Sequence, residues 1–117
     1  MGQFKFALWL AYWYYQSESF EFEWDKGNST KSAKKHGVAT EEIESVFDLK
    51  MAVPVGKQVK PHTDEERLCI VGPSLEERMI SVVFTLREGR VRPISGRPAN
   101  FKERRLYEDV LKALKNI

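Results

Sequence analysis

The stretch from Met79 to Ile94 constrains the fold of this chain more than any other. An apolar run (Met79 to Leu86) is followed by Arg87-Glu88-Gly89 and then by Arg90-Val91-Arg92-Pro93-Ile94. A run rich in β-branched residues, a short glycine-bearing turn and a returning arm describe a hairpin, so two neighbouring strands are antiparallel. Arg90 and Arg92 share one face of the returning arm. Pro93 has no N–H to give to a ladder, which places that arm at a sheet edge or at a bulge. Two further apolar stretches, Leu49 to Val55 and Leu68 to Val71, are bounded by Gly, Pro or charge and extend the series to four strands.

Helical patterns flank this run. Phe20 to Trp24 alternates apolar with charged residues and predicts a first strand. Lys26 to His36 predicts a helix closed by Gly37, with Lys34, Lys35 and His36 where the carbonyl end of the macrodipole favours cations. A second helix follows, with Thr40 as N-cap, Glu41 and Glu42 in its first turn, and Ile43, Val46 and Phe47 on one face. Gly56 to Glu66 has the composition of a loop. Asn100 and Glu103 form a capping-box pattern ahead of a last helix whose apolar stripe is Leu106, Val110, Ala113, Leu114 and Ile117. The expectation is an α+β domain: an antiparallel sheet of about four to five strands, two N-terminal helices and a C-terminal helix.

At 117 residues the chain has enough length for one modest core. A net charge of +2 does not by itself announce a nucleic-acid binder, but the distribution is uneven. From Arg87 to Tyr107 seven basic residues stand against two acids, a local +5, while acids gather at Glu41 to Glu44, Asp64 to Glu66 and Glu76-Glu77. A basic face suits a phosphate-rich ligand. The single Cys69 lies in an apolar run, which excludes a disulfide framework and fits the cytoplasm. Ten of the fourteen aromatics fall in the first 24 residues. The apolar run Phe6 to Tyr15 is shorter than the roughly 20 residues a bilayer span needs, and no small-x-small cleavage site follows it. Residues 1–19 therefore read as an added strand or helix packed on the domain or on a partner, with residues 20–117 as the domain proper and no stable membrane insertion.

The first helix presents charge rather than packing, because Lys26, Lys31, Lys34 and Lys35 lie between Asp25 and Gly37 with no acid among them. Cleavage of RNA by its own 2′-hydroxyl requires a base, cations around the crowded phosphate and an acid for the departing oxygen, and requires no metal. Histidine serves as base or acid near neutral pH, and pre-placed Arg or Lys stabilises charge developing at phosphorus. The chain holds these types: His36 beside Lys35, His62, Arg67, Arg92, Arg97, Glu103, Arg104 and Tyr107. Each also has a plainer role. His36 at a helix end is a capping or solvent-facing group, Arg90 and Arg92 line a solvated strand, Arg104 and Arg105 an exposed helix face, Glu103 a cap and His62 a loop. No zinc spacing, no exposed electropositive cysteine and no GxxxxGK[ST] loop is present.

Taken in order, Phe22-Glu23-Trp24-Asp25, Lys35-His36-Gly37-Val38, Glu41-Glu42, Val46-Phe47, Glu66-Arg67, Ile70-x-Gly72, Val82-Val83-x-Thr85, Arg92-x-Ile94-Ser95-x-Arg97-x-Ala99 and Glu103-Arg104-x-x-Tyr107 resemble the BrnT toxins of bacterial type II toxin–antitoxin systems. The resemblance runs from about Phe20 to Glu108. It implies a RelE-like ribonuclease fold, a metal-independent endoribonuclease without cofactor, arrest of translation, and neutralisation by a BrnA-like antitoxin. That antitoxin carries a ribbon-helix-helix DNA-binding part, which opens the way to a higher-order assembly on operator DNA. Carried onto this sequence, the resemblance gives His36, with Glu103 or Tyr107 as counterpart, for proton transfer, and Lys35, Arg67, Arg92, Arg97 and Arg104 for the RNA. The chain departs from the family where Pro and Lys are usual, with Lys26 and Asn28; where an Asn-Leu pair is usual, with Ser32-Ala33; and at Pro93 and Gly96, usually aliphatic and Ala. These departures predict a first helix less firmly anchored. Two other readings share the same residues: a catalytically inactive partner-binding domain, and a basic nucleic-acid-binding module.

Overall fold

A computed structural model describes residues 12–58 and 67–115 of the chain. Four strands, β1 (Val53–Gln58), β2 (Arg67–Pro73), β3 (Met79–Arg87) and β4 (Arg90–Pro98), form one antiparallel sheet in chain order. Helices α1 (Lys31–His36) and α2 (Thr40–Asp48) precede it and α3 (Phe101–Lys115) follows. This is the α+β architecture expected from the sequence, and the β3–β4 hairpin is its clearest element. Arg87 pairs with Arg90 across a two-residue loop, with Glu88 and Gly89 at φ of 53° and 80°, the geometry whose twist matches that of the flanking strands. Pro93 satisfies both expectations placed on it: β4 is the edge strand, and the register slips between Val83 and Phe84, so that Ser95 pairs with Val83 but Pro93 with Phe84.

Alternation along the strands separates two faces. Ile70, Ile80, Val82 and Phe84 point to one side, where they join Ile43, Val46 and Phe47 of α2 in a continuous buried core. Gly96 permits this closeness, since a Cβ there would lie 2.7 Å from the Ile43 side chain. Ser81, Val83, Ser95 and Arg97 belong to the opposite face, onto whose far end α3 docks through Glu103. Among the described side chains none on α3 is fully buried, and Leu106 of its expected stripe is 41% exposed.

The N-terminal half differs from expectation in four places. Phe20 to Trp24 makes one parallel bridge, Phe22 to Val91, rather than a strand; Val91 donates to Glu21 O and accepts from Glu23 N, and pairing stops there because Pro93 has no N–H to offer. The first helix begins at Lys31, because Asp25 and Asn28 organise residues 25–29 as a turn: Asp25 Oδ1 accepts from Gly27 N, and Asn28 Oδ1 accepts from Asp25 N. Ala39, not Thr40, is the N-cap of α2. Of the expected loop, residues 56–58 belong to β1, and the remainder, including His62, lies outside the described residues.

Residues 12–16 form a helical turn that enters the core. Tyr14 is fully buried; its hydroxyl donates to Val46 O (3.1 Å), an orphan carbonyl at the end of α2, and accepts from Ala52 N (3.1 Å). Burial pushes the Tyr14 hydroxyl well above the usual tyrosine range. Lys50, left-handed at φ 59°, donates to Tyr14 O and Ser17 O while its ammonium sits 4.7 Å from the Phe20 ring centroid.

Candidate functional site

Helix α1 has fewer than two turns and the sequence Lys-Ser-Ala-Lys-Lys-His, so nothing in it feeds the core except Ser32, which is buried. Gly37 ends it at φ 69°, a left-handed conformation that glycine adopts without steric cost, and its N–H donates to Ala33 O (3.1 Å). Lys31 and Lys35 are four residues apart and project on one side, with His36 at the end. Opposite them stands the sheet face carrying Arg67, Val83, Ser95 and Arg97. Between the two lies a groove of about 260 Å³ lined by Lys31, Ser32, Lys35, His36, Arg67, Val83, Ile94, Ser95 and Arg97. Among the described residues the side chains of Lys31, Lys35, His36 and Arg67 have no hydrogen-bond or ion-pair partner.

Arg97 is held differently. Its guanidinium grips Glu103 with both arms, Nη1 to Oε1 and Nη2 to Oε2, each 2.7 Å. Glu103 also accepts from Ser81 Oγ (3.0 Å) and Asn100 N (2.9 Å), while its own N–H donates to Asn100 Oδ1 (2.9 Å), completing the capping box seen in the sequence. Burial alone would raise the Glu103 carboxyl, but Arg97, the Asn100 amide and the Ser81 hydroxyl outweigh it and hold the group below its ordinary range. The same pair raises Arg97 further above the ordinary arginine value. Cys69 touches the network's inner end, 3.6 Å from Ser81 Oγ, and its burial pushes the thiol up.

The structure thus brings Lys35, His36, Arg67 and Arg97 around one groove, with Glu103 directly behind Arg97. Three other residues singled out in the sequence sit elsewhere. Arg92 pairs with Asp25 (2.8 Å), bracing the turn before α1. The Tyr107 hydroxyl donates to Met51 O (3.0 Å), fastening α3 beside β1, and burial raises its pKa. Arg104 is exposed on α3, outside the groove lining. Lys31, Ser32, Ser81 and Ser95 are not among the site residues that the sequence suggests, although Lys31, Ser32 and Ser95 line the groove and Ser81 supports Glu103. For Lys31 the cue is its four-residue spacing from Lys35; for Ser81 and Ser95 it is only that they face each other's neighbours on the outer sheet face, which needs the register.

The departures from which a less firmly anchored first helix is expected make contacts of their own. The departures Asn28, Ser32, Pro93 and Gly96 meet in two pairs: Asn28 Nδ2 donates to Pro93 O (2.9 Å), and Ser32 Oγ accepts from Gly96 N (2.8 Å). Behind α1, Arg78 donates to Gly37 O (2.8 Å) and chelates the buried Glu42 carboxylate (2.6 Å), which the Arg78 guanidinium and the Ser74 hydroxyl hold below its ordinary range against the effect of burial.

Four cationic side chains and an imidazole around a polar groove, one cation oriented by a carboxylate, have the chemistry suited to a phosphodiester and to proton transfer beside it. Among the described residues no group of three His, Cys, Asp or Glu side chains is placed to hold a metal ion, and no helix is long and apolar enough to cross a membrane. No curated protein matches the chain. The family model for the BrnT ribonuclease toxin of type II toxin–antitoxin systems matches residues 24–103, a span that includes α1, the whole sheet and the start of α3. With more than half of its length covered, this chain belongs to the BrnT family of type II toxin–antitoxin ribonuclease toxins.

Proposed function

We propose that this protein is a metal-independent endoribonuclease that acts in the cytoplasm, arrests translation and is silenced by a BrnA-like antitoxin with a ribbon-helix-helix DNA-binding part. The observation that carries the reading is the convergence of Lys31, Lys35, Arg67, Arg97 and His36 on one groove. The cations hold the scissile phosphate. The 2′-oxygen attacks phosphorus as the His36 imidazole accepts its proton, the bond to the 5′-oxygen breaks, and that oxygen takes a proton from water. The products are a 2′,3′-cyclic phosphate and a 5′-hydroxyl end. Glu103, with its oxygens engaged by Arg97, Ser81 and Asn100, serves as the support of Arg97 rather than as a proton carrier. Tyr107 and Arg92 serve the architecture around the groove, and Arg104 offers a peripheral contact to the RNA strand.

The test is induction of the toxin without antitoxin, with RNA ends analysed in parallel. Wild type is expected to arrest growth and to cut purified RNA in the presence of EDTA, leaving cyclic phosphate ends. His36→Ala and Arg97→Ala are each expected to lower cleavage by about 100-fold or more, the range for loss of a general base or of a charge-stabilising donor. A wild type that binds RNA yet leaves it intact, with growth unaffected, sinks the reading.

A further inference from the structure

The two walls of the groove are joined by hydrogen bonds rather than by packing. Helix α1 carries Lys35 and His36, and of its six residues only Ser32 is buried. A helix this short has no stability of its own in water, so its place is set by what it is tied to. Asn28 and Ser32 tie it to β4. Asn28 is 6% exposed and uses every polar atom of its amide: Oδ1 accepts from Asp25 N (2.8 Å), and Nδ2 donates to Glu23 O (3.0 Å) and Pro93 O (2.9 Å). Ser32, 4% exposed, accepts from Gly96 N (2.8 Å). Gly96 is the residue immediately before Arg97. A buried amide N–H and a buried carbonyl of the edge strand are therefore satisfied by the segment that bears His36, and satisfied only at one register of that segment along the strand.

We propose that Asn28 and Ser32 are positioning residues for the reaction: they lock α1 against β4 so that His36 and Lys35 face Arg97 across the groove. This rests on the groove being the RNA site. Asn28 lies outside the groove lining, and the Ser32 hydroxyl at the groove wall is engaged by the Gly96 amide.

The experiment compares wild type with Ser32→Ala, Ser32→Thr, Asn28→Asp and His36→Ala by two readouts. In RNA cleavage, Ser32→Ala and Asn28→Asp are expected to lower kcat by about 100-fold, the cost of a displacement near 1 Å, with KM changed less than kcat because Arg67 and Arg97 stay on the sheet. Asn28→Asp keeps the shape but turns a carboxylate toward the Glu23 and Pro93 carbonyls. Ser32→Thr retains the acceptor and is expected to keep near wild-type kcat. In the second readout, inorganic phosphate is titrated while NMR follows the His36 ring and the Arg97 guanidinium. Both respond with one dissociation constant in wild type; in Ser32→Ala and Asn28→Asp the His36 response is lost while that of Arg97 persists. If wild type fails to cut RNA but the two responses uncouple in this way, the positioning stands and the ribonuclease assignment falls. If both variants keep wild-type kcat, or keep the joint response, the positioning is wrong.

Discussion

At the scale of single residues, Glu103 shows how one side chain acquires its role from what surrounds it. As a sequence feature it is the N3 glutamate of a capping box; in the folded chain it also receives both arms of Arg97 and the Ser81 hydroxyl. Its folded pKa is depressed below the ordinary value of 4.5, so its contribution to stability is complete above that value and is lost as pH falls through the lower, folded one. Glu103→Gln is expected to lower stability at pH 7 by about 1 kcal/mol, a modest figure because the Arg97 side chain is 35% exposed to water. The difference in melting temperature between variant and wild type should hold from pH 7 to 5 and shrink below pH 4.5. A constant difference down to pH 3 would mean the pair does not govern it. Cleavage by the same variant should drop as well, since Arg97 loses its fixed orientation.

At the scale of elements, the aromatic segment before Phe20 is tied into the core. Tyr14 closes the end of α2 and receives the Ala52 amide, and Lys50 ties the carbonyls of Tyr14 and Ser17. Trp13 packs against Phe20 and Phe84 with ring centroids 5.3 and 6.1 Å apart. Tyr14→Phe leaves Val46 O and Ala52 N without that partner and should cost about 1–3 kcal/mol in urea denaturation. A chain beginning at Phe20 loses a buried ring and its neighbours, and should lose at least about 3 kcal/mol or fail to unfold cooperatively. A melting temperature equal to that of the full chain would show the segment to be dispensable. The sequence revealed the apolar character of this segment, not its destination, because ten apolar residues in a row carry neither the helical nor the strand period that would orient them.

At the scale of the whole molecule, charge is separated by the fold rather than by total balance. The net charge is only +2, yet Lys31, Lys35, Arg67 and Arg97 share one groove, while Glu41, Glu44 and Asp48 gather around Leu75 on the α2 side. Four phosphate contacts on single-stranded RNA predict a slope of log affinity against log salt of roughly −3, and alanine at Lys31 or Arg67 should reduce it by about 0.7. Filter binding or fluorescence anisotropy across salt concentrations measures this; a slope near zero would place the RNA elsewhere. The basic residues of the Arg87 to Tyr107 segment scatter instead of forming one face: Arg92 turns to Asp25, Arg97 to Glu103, and Arg104 to solvent. Local charge counts cannot foresee this, because a residue's partner depends on which acid the topology brings near it.

What the sequence determined by itself was local: the hairpin and its bulge at Pro93, the glycine stop at Gly37, the Asn100–Glu103 cap, the apolar face of α2, and the ordered motifs that mark the family. Each rests on the conformational or hydrophobic preference of a few neighbouring residues. The tertiary structure alone decided that Asn28 meets Pro93, that Ser32 meets Gly96, and that Arg67 joins His36 and Arg97 at one groove. Those meetings span roughly thirty to sixty-five residues, and their geometry is fixed by strand register and by the need to satisfy buried polar groups at a sheet edge, which no local pattern encodes.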